Sequence, residues 1–460
     1  MTLLRSLIIG GLAVIIARRL RPLLADRRLQ VRRLAWVLLL SPYLMPVLIT
    51  GYAYASFSLS LIHHPVLNMM FYSVLVCLKF TPIAALILHF TPSPISAEAI
   101  HCRRLQVAHS MFDVSSKLDE WRFLIRAGCA RGPLAAFAIV FLCAFAEFEM
   151  ASLMWVKTWT VALFDAHAGG LALSESLRRM AGPLLCEAAA VAVAVVVLGR
   201  RRPAPARSAV QSGKGNTFAW SYLVVAFTFV LAIPAGMVLW GAIRGFHLLL
   251  EDFVLSREII ASLLFASGAT LLASLVVFSL GAMARGRQPG SVFAKIILGV
   301  AVCLGLLGPL VLSLVVLASS QLPGLISLRN TPVPLVLTLG LVLLPMAFVL
   351  KCVLELTGYR SSLHLSRLLE KSRCAQALVW RLSTSGKFWS LMLLFIWAYW
   401  DLTASAILAP IGMTPATVRL YNLMHYGQIA ALSAMTCATF AAPVFIFLLA
   451  WGTRRWWAPQ

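Results

Sequence analysis

Eleven apolar runs of about 15 to 28 residues recur along this chain, near positions 3–17, 34–55, 66–90, 131–155, 181–199, 217–243, 258–283, 292–319, 332–355, 386–410 and 426–452. Most are long enough for an α-helix to cross ~30 Å of hydrocarbon. With 61% hydrophobic and 12% charged residues, a soluble multidomain protein is excluded, and an all-α polytopic membrane protein of about 11 transmembrane helices is predicted. The first run, Leu3–Ala17, has the length of a signal-peptide core, but Arg18, Arg19 and Arg21 follow it without a small-residue cleavage site, so a retained helix is expected.

The formal charge of +23 would suggest nucleic acid in a soluble domain, yet here it reports topology. Arg18–Arg33 holds seven arginines, His101–Arg131 six Lys/Arg, Arg200–Lys214 five, Ala284–Lys295 three and Arg360–Lys387 six, and Arg454 and Arg455 lie in the tail. With all six segments in the cytoplasm, eleven spans fit with the N-terminus outside and the C-terminus inside. No basic stretch is interleaved with aromatics on a folded domain, which argues against a nucleic-acid partner. The nine cysteines lack any CxxC and read as free packing thiols. The nine histidines show no HExxH or comparable ligand spacing, so no metal site is expected.

Gly199–Asn216, GRRRPAPARSAVQSGKGN, is polar and rich in Pro, Gly and Ser, and reads as a cytoplasmic linker. It divides the chain into a first half, 1–198, with about five spans, and a second, 217–460, with about six. The halves repeat one another. Pro46 and Pro82 are 36 residues apart, as are Pro309 and Pro345, and both pairs match at an offset of 263. The offset falls to 254 between Glu147 and Asp401 and is 257 between Thr160-Val161 and Thr417-Val418, where TVALFDxH faces TVRLYNxxH. Run 217–243 precedes the first matched span and has no counterpart in the first half. Both long basic loops lie on one side, so the repeats are parallel, related by an axis along the membrane normal, and a shared pathway at their interface is expected.

A charge at mid-membrane costs roughly 2.5 to 3.5 kcal/mol, so Lys79, Glu147, Glu149, Glu187, Lys351 and Asp401 each need an explanation. Lys351, near a cytoplasmic helix end, is expected to snorkel. Lys79 is deeper and calls for an interhelical partner or a water-filled face. Glu147 and Asp401 occupy equivalent places in equivalent helices. Two readings stand side by side: both line the translocation pathway, or each is hydrogen-bonded within its own half. Beyond them lie Phe164-Asp165 and Tyr421-Asn422, followed by His167 or His425 and a glycine, a set suited to an outer mouth accepting a cation or a delivered ligand. Trp155, Trp159 and Tyr426 read as interface anchors.

Ser212-Gly213-Lys214-Gly215 lacks the GxxxxGK[ST] spacing of a phosphate-binding loop, so ATP would be hydrolysed by another chain. The absence of GxSxG argues against a membrane hydrolase.

WDLTASAILAPIGMTPATVRLYNLMHYG, after a basic loop, resembles the second half of fused, two-lobed ABC importer permeases of the ferric-iron type. The likeness is most specific over Ala398–Ser433 and extends more weakly to Trp121–Leu173 and the prolines of both halves. It implies a type I importer permease fold, a permease that is not itself an enzyme, an ABC ATP-binding subunit dimer using ATP as the motor, and a periplasmic solute-binding protein delivering the solute. The chain itself would hold no cofactor, and the cell inner membrane is the implied location. The pathway candidates are Glu147, Asp401, Tyr421 and Asn422. The ATPase contacts would fall in Arg367–Ser372, with Arg367, Leu368, Leu369, Glu370 and Ser372, and around Gln106–Ser116, with Gln106 and Ala108. The second loop departs from the family's EAA signature: Glu370 stands where glycine is expected, and Leu382-Ser383 replaces Leu-Pro. The family has six spans per half, so the missing first helix points to a late start codon. Ferric iron is the first substrate expectation, with thiamine, polyamines and phosphonates open. The alternatives are an ion-coupled secondary transporter and a structural membrane protein with lapsed transport.

Overall fold

A computed structural model of the chain describes residues 1–91, 102, 122, 128–199, 217–249, 253–284, 290–356, 373–425 and 430–456, and no strand occurs among them. Helices Pro65–Phe90, Leu173–Val197, Thr217–His247, Leu255–Met283, Val333–Glu355 and Ala430–Thr453 are each long and apolar enough to cross a membrane. Two further apolar pairs are sharply bent, Leu29–Leu44 with Val47–Ser60 by 74° and Gly290–Gly305 with Pro309–Ser319 by 110°. The chain is therefore a multi-pass membrane protein with six to eight candidate spans. The other three apolar runs fall on Thr2–Leu24, Arg131–Phe145 and Arg373–Tyr399, which are shorter or carry more charge than a self-sufficient span.

The described residues form two compact units, Met1–Ala162 with Gly182–Ala235, and Leu163–Ala181 with Gly236–Gln460. In the first, α1 (Thr2–Leu24), α2 (Leu29–Leu44), α3 (Val47–Ser60), α4 (Pro65–Phe90), α5 (Arg131–Phe145) and the short α6 (Glu149–Leu153) precede α7 (Trp159–Ala168) and α8 (Leu173–Gly199), which both continue across a unit boundary. Then α9 (Thr217–Phe227) joins through a π-helical turn, Thr228–Ala232, to α10 (Ile233–Leu249). In the second unit come α11 (Phe253–Met283), α12 (Gly290–Gly305), α13 (Pro309–Ser319), α14 (Val333–Leu356), α15 (Arg373–Tyr399), α16 (Thr403–Leu408), α17 (Ala416–Met424) and α18 (Ala430–Trp456).

The duplication reappears as packing. Within the first unit α1 packs on α2, α4 and α5, α4 on α2 and α5, and α3 on α6. Within the second, α11 packs on α12, α14 and α15, α14 on α12 and α15, and α13 on α16. Every pairing in one set has its counterpart in the other. The matched prolines explain the bends. Pro46 precedes α3 and Pro309 opens α13. Proline has no N–H to extend the preceding helix and sterically disfavours the α conformation in the residue before it. At the second break that residue is Gly308, with φ 77°, a left-handed conformation that glycine adopts without steric cost. Pro82 and Pro345 instead lie inside α4 and α14.

Other contacts depart from the repeat, among them α13 on α14 and α14 on α16, which have no counterpart of similar extent in the first unit. Helix α9 packs on α1 and α2 and so completes the first unit with residues of the second half. In α10, Gly241 and Gly245 lie against α18, where an added Cβ would overlap Ser433 and the Ala430 carbonyl respectively. Small residues four apart allow this close backbone approach in a membrane, where packing rather than hydrophobicity drives helix association.

Candidate functional site

Glu147 sits between the end of α5 and the start of α6, 6% exposed. Its Oε1 accepts the backbone N–H of Met150 at 2.6 Å and its Oε2 that of Ala151 at 3.2 Å. The carboxylate therefore satisfies N–H groups at the start of α6 that have no partner within the helix. The fully buried Tyr72 of α4 donates its hydroxyl to Oε2. The Arg5 guanidinium of α1 lies 4.6 Å above the Tyr72 ring, and its Nε and Nη2 have no hydrogen-bond partner among the described residues. Thr160 Oγ1 donates to the Glu147 carbonyl at 2.8 Å, and Trp159 Nε1 to that of Phe145 at 2.8 Å. These bonds tie the start of α7 back to the break.

Asp401 repeats the arrangement. It lies between α15 and α16, and its Oδ1 accepts the Ala404 N–H at 2.9 Å. Thus the two carboxylates that stand in register in the sequence cap short helices at equivalent breaks, each bonded within its own unit. The tie from α7 is not repeated: Thr417, the counterpart of Thr160, is fully buried and its hydroxyl has no hydrogen-bond partner among the described residues.

The segments carrying the repeated motif come together within the second unit. The Phe164 ring meets Tyr421 edge-on with centroids 6.4 Å apart, and Tyr421 meets His425 edge-on at 4.6 Å. Tyr421 is buried, whereas Asn422 is exposed. Partial burial holds the His425 imidazole below its ordinary value of 6.5, against an upward pull from Asp165. Asp165 is raised from 3.8 by burial, with His425 pulling it down. His167 Nδ1 lies 3.2 Å from Ser176 Oγ, away from this pairing. The motif TVALFDxH from the first half and TVRLYNxxH from the second thus supply one cluster, a carboxylate and an imidazole around two aromatic rings.

Lys79 is buried, and its Nζ donates to the Met45 carbonyl and, at 3.4 Å, to that of Pro42. These acceptors end α2 at the Pro46 break, so the interhelical partner expected for Lys79 is a broken helix end. Lys351 is also buried and donates to the Val277 carbonyl of α11 at 2.8 Å. A buried lysine bonded to a neighbouring helix differs from the snorkelling expected, and Gly281 leaves the room for it: a Cβ there would overlap Nζ. Glu187, on the buried stripe of α8 with Met180, Val191 and Ala194, is fully buried, and neither of its carboxylate oxygens has a hydrogen-bond partner among the described residues. Glu187 is marked by its charge within an apolar run, whereas Arg5 and Tyr72 belong to no repeated motif and carry no signal as a pair. The ATPase-contact candidates Gln106, Ala108, Arg367, Leu368, Leu369, Glu370 and Ser372 lie outside the described residues.

Among the described residues no group of three or more His, Cys, Asp and Glu side chains is placed to hold a metal ion. No family model, curated protein or solved structure matches the chain.

Proposed function

We propose that the chain is the permease subunit of an ATP-driven importer in the cell inner membrane, with about eleven spans in two parallel halves that enclose one pathway. The observation carrying this reading is the repeated packing, with matched breaks at Pro46 and Pro309 and matched caps at Glu147 and Asp401. Two equivalent helix groups, each interrupted at equivalent places, provide the paired elements that alternate access by rocking requires. Tyr421 and Asn422, with Phe164, Asp165 and His425, form the outer mouth, and Glu147 and Asp401 each hold a short helix within its own unit. A periplasmic binding protein delivers the solute, with ferric iron the first substrate class by resemblance. A separate ATPase dimer docks on the basic cytoplasmic loops around Gln106–Ser116 and Arg367–Ser372.

Co-purification with an ABC ATPase and a solute-binding protein from the same genome tests this reading. The expected result is a stable complex whose ATP hydrolysis rises with loaded binding protein and falls when Arg367 or Glu370 is replaced by alanine. A chain that captures no ATPase under these conditions sinks the proposal.

One observation favours a second reading, an ion-coupled secondary transporter: Glu187 is a midspan carboxyl without a hydrogen-bond partner among the described residues, the kind of group that carries protons in such proteins. Uptake into nucleotide-free vesicles that is driven by a pH gradient and lost in E187Q would favour it over the importer.

A further inference from the structure

The first turns of α11 and the loop between α16 and α17 border an open groove of about 260 Å³ in the second unit, lined by Arg257, Glu258, Ile260, Ala261, Leu264 and Gly412–Thr414. Its two ends differ in chemistry. At one end Arg257 donates from Nη2 to the Gly412 carbonyl at 2.9 Å, which holds an otherwise exposed guanidinium in place. Beside it Glu258 is neutralised by Arg419, 3.2 Å away. Among the described residues two guanidinium groups thus stand against one carboxylate, and they leave this end net positive. The other end is apolar and outward-facing: Ile260 and Leu264 are 57% and 58% exposed.

These residues begin a longer stripe. Leu271 and Leu275, on the same side of α11, are also exposed, and in a membrane-spanning helix such a stripe faces lipid. Ile411, beside the left-handed Gly412, is 84% exposed at the loop tip. A fixed positive charge at the end of a lipid-facing apolar channel matches a molecule with an anionic head and a hydrocarbon tail. We propose that this groove binds an anionic phospholipid, with the headgroup phosphate on Arg257 and one acyl chain along Ile260 and Leu264. The site does not depend on what the chain transports. It requires only that α11 cross a bilayer.

Native mass spectrometry of the full chain in mild detergent, titrated with phosphatidylglycerol or phosphatidylcholine of the same acyl chains, tests the proposal. Wild type retains phosphatidylglycerol about tenfold more tightly, as a charge-assisted contact of this kind gives. In Arg257→Gln, which removes the guanidinium and its charge, one tightly held phosphatidylglycerol is lost. Leu264→Trp, which fills the apolar end and leaves the charges alone, loses the same lipid. Equal retention of the two lipids by wild type overturns the proposal without any variant. So does an R257Q or L264W chain that keeps the full wild-type complement. Inorganic phosphate that displaces the lipid at millimolar concentration marks a free-anion site and overturns it as well.

Discussion

At the scale of single residues, what separates the buried charges is whether the backbone answers them. Glu147 accepts two helix N–H groups and a tyrosine hydroxyl, Asp401 accepts at the start of α16, and Lys79 and Lys351 donate to carbonyls of neighbouring helices. Glu187 has no such partner. Glu147→Gln turns an amide N–H toward donors and should lower stability by about 1 to 3 kcal/mol, read as a drop in melting temperature in detergent. Glu187→Met removes two buried oxygens at similar volume and should melt at or above the wild-type temperature; a clear drop would show that the carboxyl has a partner in the membrane. A third residue gives a pH effect. His425 binds protons less readily in the folded chain than its ordinary 6.5, so below about pH 6.5 the unfolded state takes up more protons and stability falls as pH drops. The opposite shift of Asp165, upward from 3.8, acts only in more acidic solution. Melting curves from pH 7.5 to 5.5 should therefore fall more steeply for wild type than for H425Q, and parallel curves would remove His425 from the account. The register of Glu147 with Asp401 was legible because both sit in a repeated motif. Their capping role was not, because a cap exists only where the helix breaks, and the apolar runs 131–155 and 386–410 pass through both breaks without a change of composition.

At the scale of elements, the spacing of 36 residues between prolines was legible and marked the right places. Yet identical spacing produces bends in one pair, Pro46 and Pro309, and continuous helices in the other, Pro82 and Pro345. The difference lies in the neighbours: Gly308 supplies a left-handed residue at one break, and Lys79 satisfies the carbonyls freed at the other. Hydrophobic periodicity carries neither piece of information. Gly308→Ala places a Cβ at φ 77° and should cost about 1 to 2 kcal/mol. Lys79→Met leaves the Met45 and Pro42 carbonyls buried and unanswered, costing about 1 to 3 kcal/mol. Both are read as melting temperatures, and K79M should also speed proteolysis between α2 and α3. A K79M chain as stable as wild type would mean that those carbonyls find other donors.

At the scale of the whole molecule, the polar stretch 199–216 marks where the repeat begins again, but the compact units are cut elsewhere. Residues Leu163–Ala181 of the first half belong to the second unit, and those of the second half up to Ala235 complete the first. Composition locates the seam between repeats because a linker must be polar; it carries no signal for which helix packs where, since α9 is as apolar as the spans around it. The exchange has a physical consequence. The first unit lacks α9 against α1 and α2 unless both halves are present, and the second lacks the Phe164 ring against Tyr421. Fragments 1–198 and 217–460, expressed together with the linker severed, should therefore co-purify in detergent. Fragment 1–198 alone, with the faces of α1 and α2 that meet α9 uncovered, should be degraded or aggregate. Starting the second fragment at residue 236 removes α9 and should abolish capture of the first, while Tyr421→Ala, which removes the ring contacts to Phe164 and His425 and leaves α9 in place, should weaken it far less. If 1–198 is stable alone, or is captured equally by a fragment beginning at 236, then the exchanged segments are not what joins the two halves, and the membrane-buried faces of the repeats must do so instead.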